Sequence, residues 1–234
     1  MVDGSRMPRR VLHTSDLHLE KLNDKACHSL EAVVNLAIRT KVELVIIAGD
    51  FFDNNRVDDN LVRFAVEQLR QLPVYVAILP GNHDCLLPDS VYNRLELWKD
   101  TTRIRIFRAP QGETLDLPGL DISVWGKPIA SYDGDFQPLV GTPRLQGNGQ
   151  WHIAVAHGYY VSTEHPLFPS YHITHEEIVN SHQDYIALGH SPVFRCICSE
   201  PVKAYYCDSP TLSGAVALVD LTEEAGVQVT RSSL

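Results

Sequence analysis

The chain has 234 residues, 44% of them apolar and 21% charged, a balance that supports one compact domain with a large core, or at most two small ones. No uncharged apolar run approaches the ~18 residues that a membrane-spanning helix requires. A formal net charge of −9 with neutral histidines argues against a general grip on nucleic-acid phosphates, which depends on Lys and Arg releasing counterions. It leaves phosphate chemistry open where bound divalent cations supply positive charge locally.

Residues 1–10 are polar and basic with no apolar stretch behind them, so residues 1–9 read as a flexible lead-in, not a secretory leader, and residues 10–234 as the folded domain. Residues 10–14 form a short strand. Ala26, Leu30, Val33, Val34, Ala37 and Ile38 then recur at helical spacing. Residues 43–48 are a second strand with almost no polar alternation, as expected of one covered on both faces. Asp58, Asp59 and Asn60 are N-cap candidates for a helix whose apolar face holds Leu61, Phe64, Ala65, Leu69 and Leu72. Pro73 closes that helix, and residues 74–79 are the third strand. The β-α-β-α-β order predicts parallel pairing through right-handed crossovers.

After a helix over residues 91–99 the texture changes. Residues 104–108, 113–117 and 120–125 are short alternating runs separated by Gly and Pro, which predicts antiparallel strands. Residues 138–150 read as loop, residues 151–156 and 185–188 as continuous apolar strands, and residues 193–229 as hairpin-like strands. The whole reads as an α/β fold, a two-sheet sandwich flanked by helices in a single domain, without repeat or linker. Five cysteines, Cys27, Cys85, Cys196, Cys198 and Cys207, lack a framework spacing and fit reduced thiols of the cytoplasm. Cys196, Cys198 and Cys207 are either a partial zinc corner or neighbours on adjacent strands; three thiols in C-x-C spacing favour the second.

Polar residues gather just past the apolar strands. Asp16-Leu17-His18 follows the first, Gly49-Asp50-Phe51-Phe52-Asp53 the second and Gly81-Asn82-His83-Asp84 the third. His157-Gly158 and Gly189-His190 follow the later two. Ligands of open α/β sheets bind beyond the carboxyl ends of the strands, so five strand ends converge on one crevice. Carboxylate, imidazole and amide donors together suit Mn²⁺, Fe²⁺ or Zn²⁺. Asp50 is the best candidate for a bridge between two cations, while Asp53 fixes a turn or supports a ligand from behind.

The ordered set D-x-H, G-D-x-x-D, G-N-H-D, H-G and G-H-x resembles the calcineurin-like metallophosphoesterases over roughly residues 9–220. "HTSDLHL", "IIAGDFFD" and "LPGNHD" are most similar to the DNA-repair exonuclease branch, whose nuclease partners an SMC-like ATPase. The resemblance implies two divalent metal ions, with manganese preferred and iron or zinc as alternatives. Asp16 and His18 would hold the first, Asp50 would be shared, and Asn82, His157 and His190 would hold the second. His83 would contact the phosphate and protonate the leaving oxygen, with Asp84 accepting its ring N–H. A hydroxide bridging the metals would then attack a phosphodiester. One position departs from the pattern: the family closes with G-H-x-H, and here residue 192 is proline. The first metal therefore lacks a ligand, for which water, His13 or His182 would have to substitute.

Ser15 and Cys85 read as neighbours of this site, not as nucleophiles. Tyr159, Tyr160, Phe168, Tyr171 and His172 either stack nucleobases at the crevice rim or anchor their loop on the sheet. The competing function is a non-catalytic metal-binding scaffold. Pro192 favours it, and the presence of His83 argues against it.

Overall fold

Strands that are apolar on both faces need cover on both, and two stacked sheets with helices outside them provide it. A computed structural model describes residues 6–99, 101–115, 117–133, 135–144, 150–162 and 171–234. In chain order the elements are β1 (Arg9–Thr14), α1 (Lys25–Arg39), β2 (Leu44–Ala48), α2 (Asp59–Arg70), β3 (Tyr75–Leu79), a 3₁₀ turn (Val91–Asn93), α3 (Leu95–Trp98), β4 (Ile104–Ile106), β5 (Glu113–Leu115) and β6 (Ile122–Gly126). There follow β7 (Trp151–His157), β8 (Tyr159–Val161), β9 (His172–Thr174), α4 (His175–Asn180), β10 (Tyr185–Gly189), β11 (Phe194–Cys198), β12 (Lys203–Cys207), α5 (Pro210–Ser213), β13 (Ala215–Thr222) and β14 (Gly226–Ser233). One sheet has the order β14-β13-β1-β2-β3-β4 and the other β11-β12-β10-β7-β6-β5; β8 and β9 make a small separate ribbon.

The lack of alternation in β2 now has its reason. Val45 and Ile47 pack against α1 and α2, while Leu44, Ile46 and Ala48 pack between the sheets, and all five are buried. Each large aliphatic side chain so buried contributes about 1.5–3 kcal/mol. The two long helices begin where side-chain acceptors occur. Asp24 accepts from the Cys27 N–H at 2.9 Å, and of the three candidates before α2 it is Asp58 that accepts, from the Asn60 N–H at 2.8 Å. Asp59 instead pairs with Arg94 at 2.7 Å.

Several expectations are corrected. The helix over residues 91–99 is a 3₁₀ turn followed by a single α turn. The break falls at Arg94, whose backbone leaves helical geometry while its guanidinium bonds the Val57 carbonyl at 2.7 Å, the Asp59 carboxylate and the Asn55 carbonyl. β4 pairs parallel to β3, not antiparallel, because the long connection between them permits a crossover. β5 and β6 do form an antiparallel pair, yet β6 runs parallel to β7. The two C-terminal hairpins lie in different sheets, β11–β12 in one and β13–β14 in the other.

From Arg6 onward the expected lead-in is tied down. Arg6 pairs with Asp184 at 2.8 Å and lies 4.7 Å over the Trp151 ring, whose Nε1–H donates to the Met7 carbonyl at 2.8 Å. Residues 1–5 lie outside the described residues. The thiols are separated: Cys196 is exposed, Cys198 is buried, and Cys207 is buried with its sulfur 3.2 Å from the Ser15 hydroxyl. Among the described residues these cysteines join no group able to hold a metal.

His13, offered above as a substitute ligand, belongs to the inter-sheet core. It is fully buried with Nδ1 2.8 Å from the Tyr185 hydroxyl. Burial pushes its imidazole down to about 3, against about 6.5 in the unfolded chain. Between those values only the unfolded chain takes up the proton, so stability falls as pH drops from 6.5 toward 3, at up to about 1.4 kcal/mol per pH unit. His13→Leu should cost about 1–3 kcal/mol at neutral pH by stranding the tyrosine hydroxyl, yet its denaturant midpoint should decline less steeply than the parent's between pH 6.5 and 4. Parallel declines would contradict this.

Candidate metal centre

The carboxyl ends of β1, β2, β3, β7 and β10 meet at one edge of the sandwich, and the six expected ligands meet with them. The ligand atoms of Asp16, His18 and Asp50 lie within 4.8 Å of one another, and so do those of Asp50, His157 and His190. Asn82 Oδ1 is 3.0 Å from both His157 Nε2 and His190 Nδ1. Asp50 thus belongs to both groups.

The donor set fits divalent cations. His157 Nδ1 lies 2.8 Å from the Ala48 carbonyl, which only a donor N–H can satisfy, so Nε2 faces the centre. Two acceptors converge on it, Asn82 Oδ1 at 3.0 Å and Asp50 Oδ2 at 3.2 Å. Facing lone pairs require a proton or a cation between them. Donors about 2.1 Å from a shared octahedral ion sit about 3.0 Å apart, as these do. Titration of the cation-free centre reflects the same need. Burial opposes the charge on His157, but Asp50 and then Asp16 raise it to about 9. Burial likewise works against ionised Asp50, and the neighbouring His157 more than offsets it, holding the carboxyl well below its usual range. Burial raises Asp16. Burial and the adjacent His157 bring His190 down to about 4.

The backbone is bent to aim these groups. Asp16, His18, Asp50 and His190 have φ of 54°, 53°, 51° and 91°, in the left-handed region that non-glycine residues avoid. The loops after β1 and β2 are zipped by Asp16 N–H to Gly49 O (3.1 Å), His18 N–H to Asp50 O (3.0 Å) and Leu19 N–H to Phe51 O (3.0 Å). Gly189 passes so close to β2 that a Cβ there would stand 1.7 Å from the Ala48 carbonyl oxygen.

Asp84 does not orient His83. Its buried carboxylate accepts from the Phe51, Phe52 and Gly81 N–H groups at 2.9, 3.1 and 2.7 Å and from the Tyr92 hydroxyl. It joins the loops after β2 and β3, and this demand for backbone partners explains an aspartate there. His83 is held otherwise: its N–H donates to Asp50 Oδ1 at 3.0 Å, and its Nδ1 lies 2.8 Å from the Asp53 carbonyl. The Asp53 carboxylate approaches His18 Nδ1 at 3.4 Å. Pro192 is exposed, and neither His13 nor His182 replaces the missing ligand. His13 faces Tyr185, and His182 precedes β10, at the far end of that strand from His190. Neither belongs to a candidate ligand group among the described residues.

Of the aromatics, Tyr159 and Tyr171 stand edge-on to His190 with ring centroids at 6.4 and 6.5 Å; Tyr159 is 54% exposed. Phe168 lies outside the described residues. The Ser15 hydroxyl donates to Asp16, and burial together with Asp84 pushes the Cys85 thiol up to about 12, so neither is a poised nucleophile. Sequence reading missed Tyr206 and Ser209. The Tyr206 hydroxyl bonds the Gly158 carbonyl and the Tyr160 N–H, both at 2.8 Å, and the Ser209 hydroxyl donates to the Asp16 carbonyl at 2.8 Å. The only available signal was another polar pair, Asp208-Ser209, just beyond an apolar strand.

The family model of calcineurin-like phosphoesterases matches residues 9–194. A metallophosphoesterase of Bacillus subtilis named YhaO and described as uncharacterized is 26% identical over 202 residues, 76% of this chain and 47% of that protein. The DNA double-strand break repair protein Mre11 of Aeropyrum pernix is 30% identical over 133 residues, 50% of this chain and 32% of that protein. This chain therefore spans less than half the length of either. Among solved structures, TT1561 of Thermus thermophilus superimposes with a TM-score of 0.67 at 11% identity, covering 97% of this chain and 99% of that one. A dimetal phosphatase from Danio rerio gives 0.58 at 15% identity, covering 96% and 98%. At these identities the likeness is one of fold.

A methyl group on Gly189 must displace either β2 or His157. Gly189→Ala should therefore destabilise the protein by about 1–3 kcal/mol and lower the metal bound per chain, read by thermal melting and elemental analysis. An unchanged melting temperature with full metal content would show that the close approach is dispensable.

Proposed function

The chain belongs to the calcineurin-like phosphoesterase family, and from that membership and the geometry of its centre we propose that it hydrolyses phosphodiesters with manganese as its preferred ion. One observation carries the reading: Asp50 is shared by two ligand groups and also accepts the backbone N–H of His83 at 3.0 Å, so a proton donor stands at the edge of a dinuclear ligand set. Divalent cations, when bound, neutralise the phosphate and lower the pKa of water. The chain's own residues do the rest. Asp50 ties the two groups together. His157 is fixed by the Ala48 carbonyl. His83, with Nδ1–H committed to the Asp53 carbonyl, delivers a proton to the departing oxygen from Nε2 when the ring is an imidazolium.

Nucleic acid is the preferred source of the diester. Supporting this are the Mre11 likeness and the exposed Tyr159 beside His190, on which a base can stack for about 1–3 kcal/mol. An SMC-like ATPase partner follows from the same likeness as a proposal. The acidic net charge weighs less against short single-stranded ends than against long duplex, since stacking does not depend on counterion release. The second reading, a scaffold that keeps the fold without turnover, is favoured by the proline at residue 192.

Hydrolysis of bis(p-nitrophenyl) phosphate with Mn²⁺ separates the two. Asp50→Ala should lose activity, His83→Ala should retain the metal held by the two groups that share Asp50 and fall by about 10²–10⁴-fold in kcat, and Pro192→His should bind the first ion more tightly and turn over faster. The same background rate in parent and all variants would leave the scaffold. For the substrate class, Tyr159→Ala should raise KM for a short single-stranded oligonucleotide while sparing the nitrophenyl ester. Equal effects on both would remove the role in base recognition.

A further inference from the structure

Beside the two groups that share Asp50 lies a third, made of His18, Asp53 and His83, whose ligand atoms also fall within 4.8 Å of one another. His18 Nδ1 is 3.4 Å from Asp53 Oδ1, and His83 Nδ1 is 3.8 Å from the same oxygen. Both separations exceed the 2.7–3.2 Å typical of an N–H···O bond. They lie close to the spacing of about 3.4 Å between donors held ~2.1 Å from a tetrahedral ion. The two imidazoles stand edge to face with centroids 4.6 Å apart, so neither ring blocks the other's access to the carboxylate.

We propose that His18, Asp53 and His83 form a third, exchangeable transition-metal site that shares His18 with the Asp16, His18 and Asp50 group, the Nε2 of that ring facing Asp50 and its Nδ1 facing Asp53. Two imidazoles and one carboxylate select zinc, iron or copper over magnesium or calcium. The side chains of His18, Asp53 and His83 are 31%, 37% and 44% exposed, so water completes the coordination and the ion can leave. In the cation-free form His83 Nδ1–H donates to the Asp53 carbonyl at 2.8 Å. The cation takes the place of that proton, one proton is released at this nitrogen, and a second leaves His18 Nδ1 when an ion already holds its Nε2. Pro192 offers no donor to the Asp16, His18 and Asp50 group, and His18 already presents Nδ1 to Asp53 while its Nε2 lies 3.9 Å from Asp50 Oδ2.

A consequence rests on the phosphodiesterase reading: an ion on His83 Nδ1 prevents the imidazolium from forming and leaves Nε2–H a far weaker acid, so excess zinc switches hydrolysis off. The site itself is independent of that reading. The test is equilibrium dialysis of the full chain against excess Zn²⁺, with metal and protein quantified for the parent, Asp53→Ala and His83→Ala. Asp53→Ala keeps the backbone carbonyl that holds His83. His83→Ala removes a partly exposed side chain and guards against a folding defect in the first variant. The parent should bind three equivalents and each variant two, and the inhibition by excess zinc seen in the parent should vanish in Asp53→Ala. Equal stoichiometry in all three proteins would overturn the proposal. So would two equivalents falling to one in both variants, because the group would then replace the Asp16 site instead of adding to it. Absence of hydrolysis with any metal would defeat the phosphodiesterase reading while leaving the dialysis comparison intact.

Discussion

Two buried carboxylates impose the constraint on which this structure turns. Asp16 and Asp50 are 3% and 2% exposed, with ligand atoms no more than 4.8 Å apart. At an effective dielectric of about 20, two such charges repel by about 3–4 kcal/mol, and each has also lost its hydration. Among the described residues neither is paired with Lys or Arg; the nearby positive partners are histidines, foremost His157. An imidazole pushed up to about 9 is the protein's own answer, with a proton where a divalent cation fits better. Asn82 and His190 supply further donors around the same point.

Holding donors in that arrangement strains the backbone. Four ligand residues occupy the left-handed region, at a cost of about 1–2 kcal/mol each. Such strain persists only where the surroundings over-determine it. Here the determinants are the zipped loops after β1 and β2, the Gly189 contact with β2, and Asp84, whose carboxylate gathers three N–H groups and a tyrosine hydroxyl from two loops. The burial of β2 on both faces supplies the rigid rail to which Asp50 is attached. Stability and site geometry are therefore one problem: core packing offsets the strain at the strand ends.

The two ligand groups are unequal. The group of Asp50, His157 and His190, with Asn82 joining it, is anchored in buried strands and has four donors. The group of Asp16, His18 and Asp50 has three, one of them on the partly exposed His18. Proline at residue 192 has no donor to add to it, and His18 also faces Asp53 and His83. That asymmetry predicts tighter cation binding in the buried group than in the partly exposed ones.

The sequence alone determined a great deal. Continuous apolar runs, helical spacing after Asp24 and Asp58, and polar residues placed just beyond five strands carried the two-sheet α/β fold and the six candidate ligand residues that the structure gathers at one edge. These are local signals, because a strand's burial and its exit residue are written side by side in the chain. Asp84 showed the limit: its place in G-N-H-D suggested a partner for His83, whereas its oxygens are claimed by the Gly81 N–H, the Tyr92 hydroxyl and two N–H groups on a loop more than thirty residues earlier. The parallel pairing of β4, the division of the last hairpins between two sheets, the burial of His13 against Tyr185, and the bonds from Tyr206 and Ser209 were decided only by tertiary structure. Each depends on which segments meet across the sandwich, and that is set by the summed packing of distant strands, which no short stretch of residues encodes.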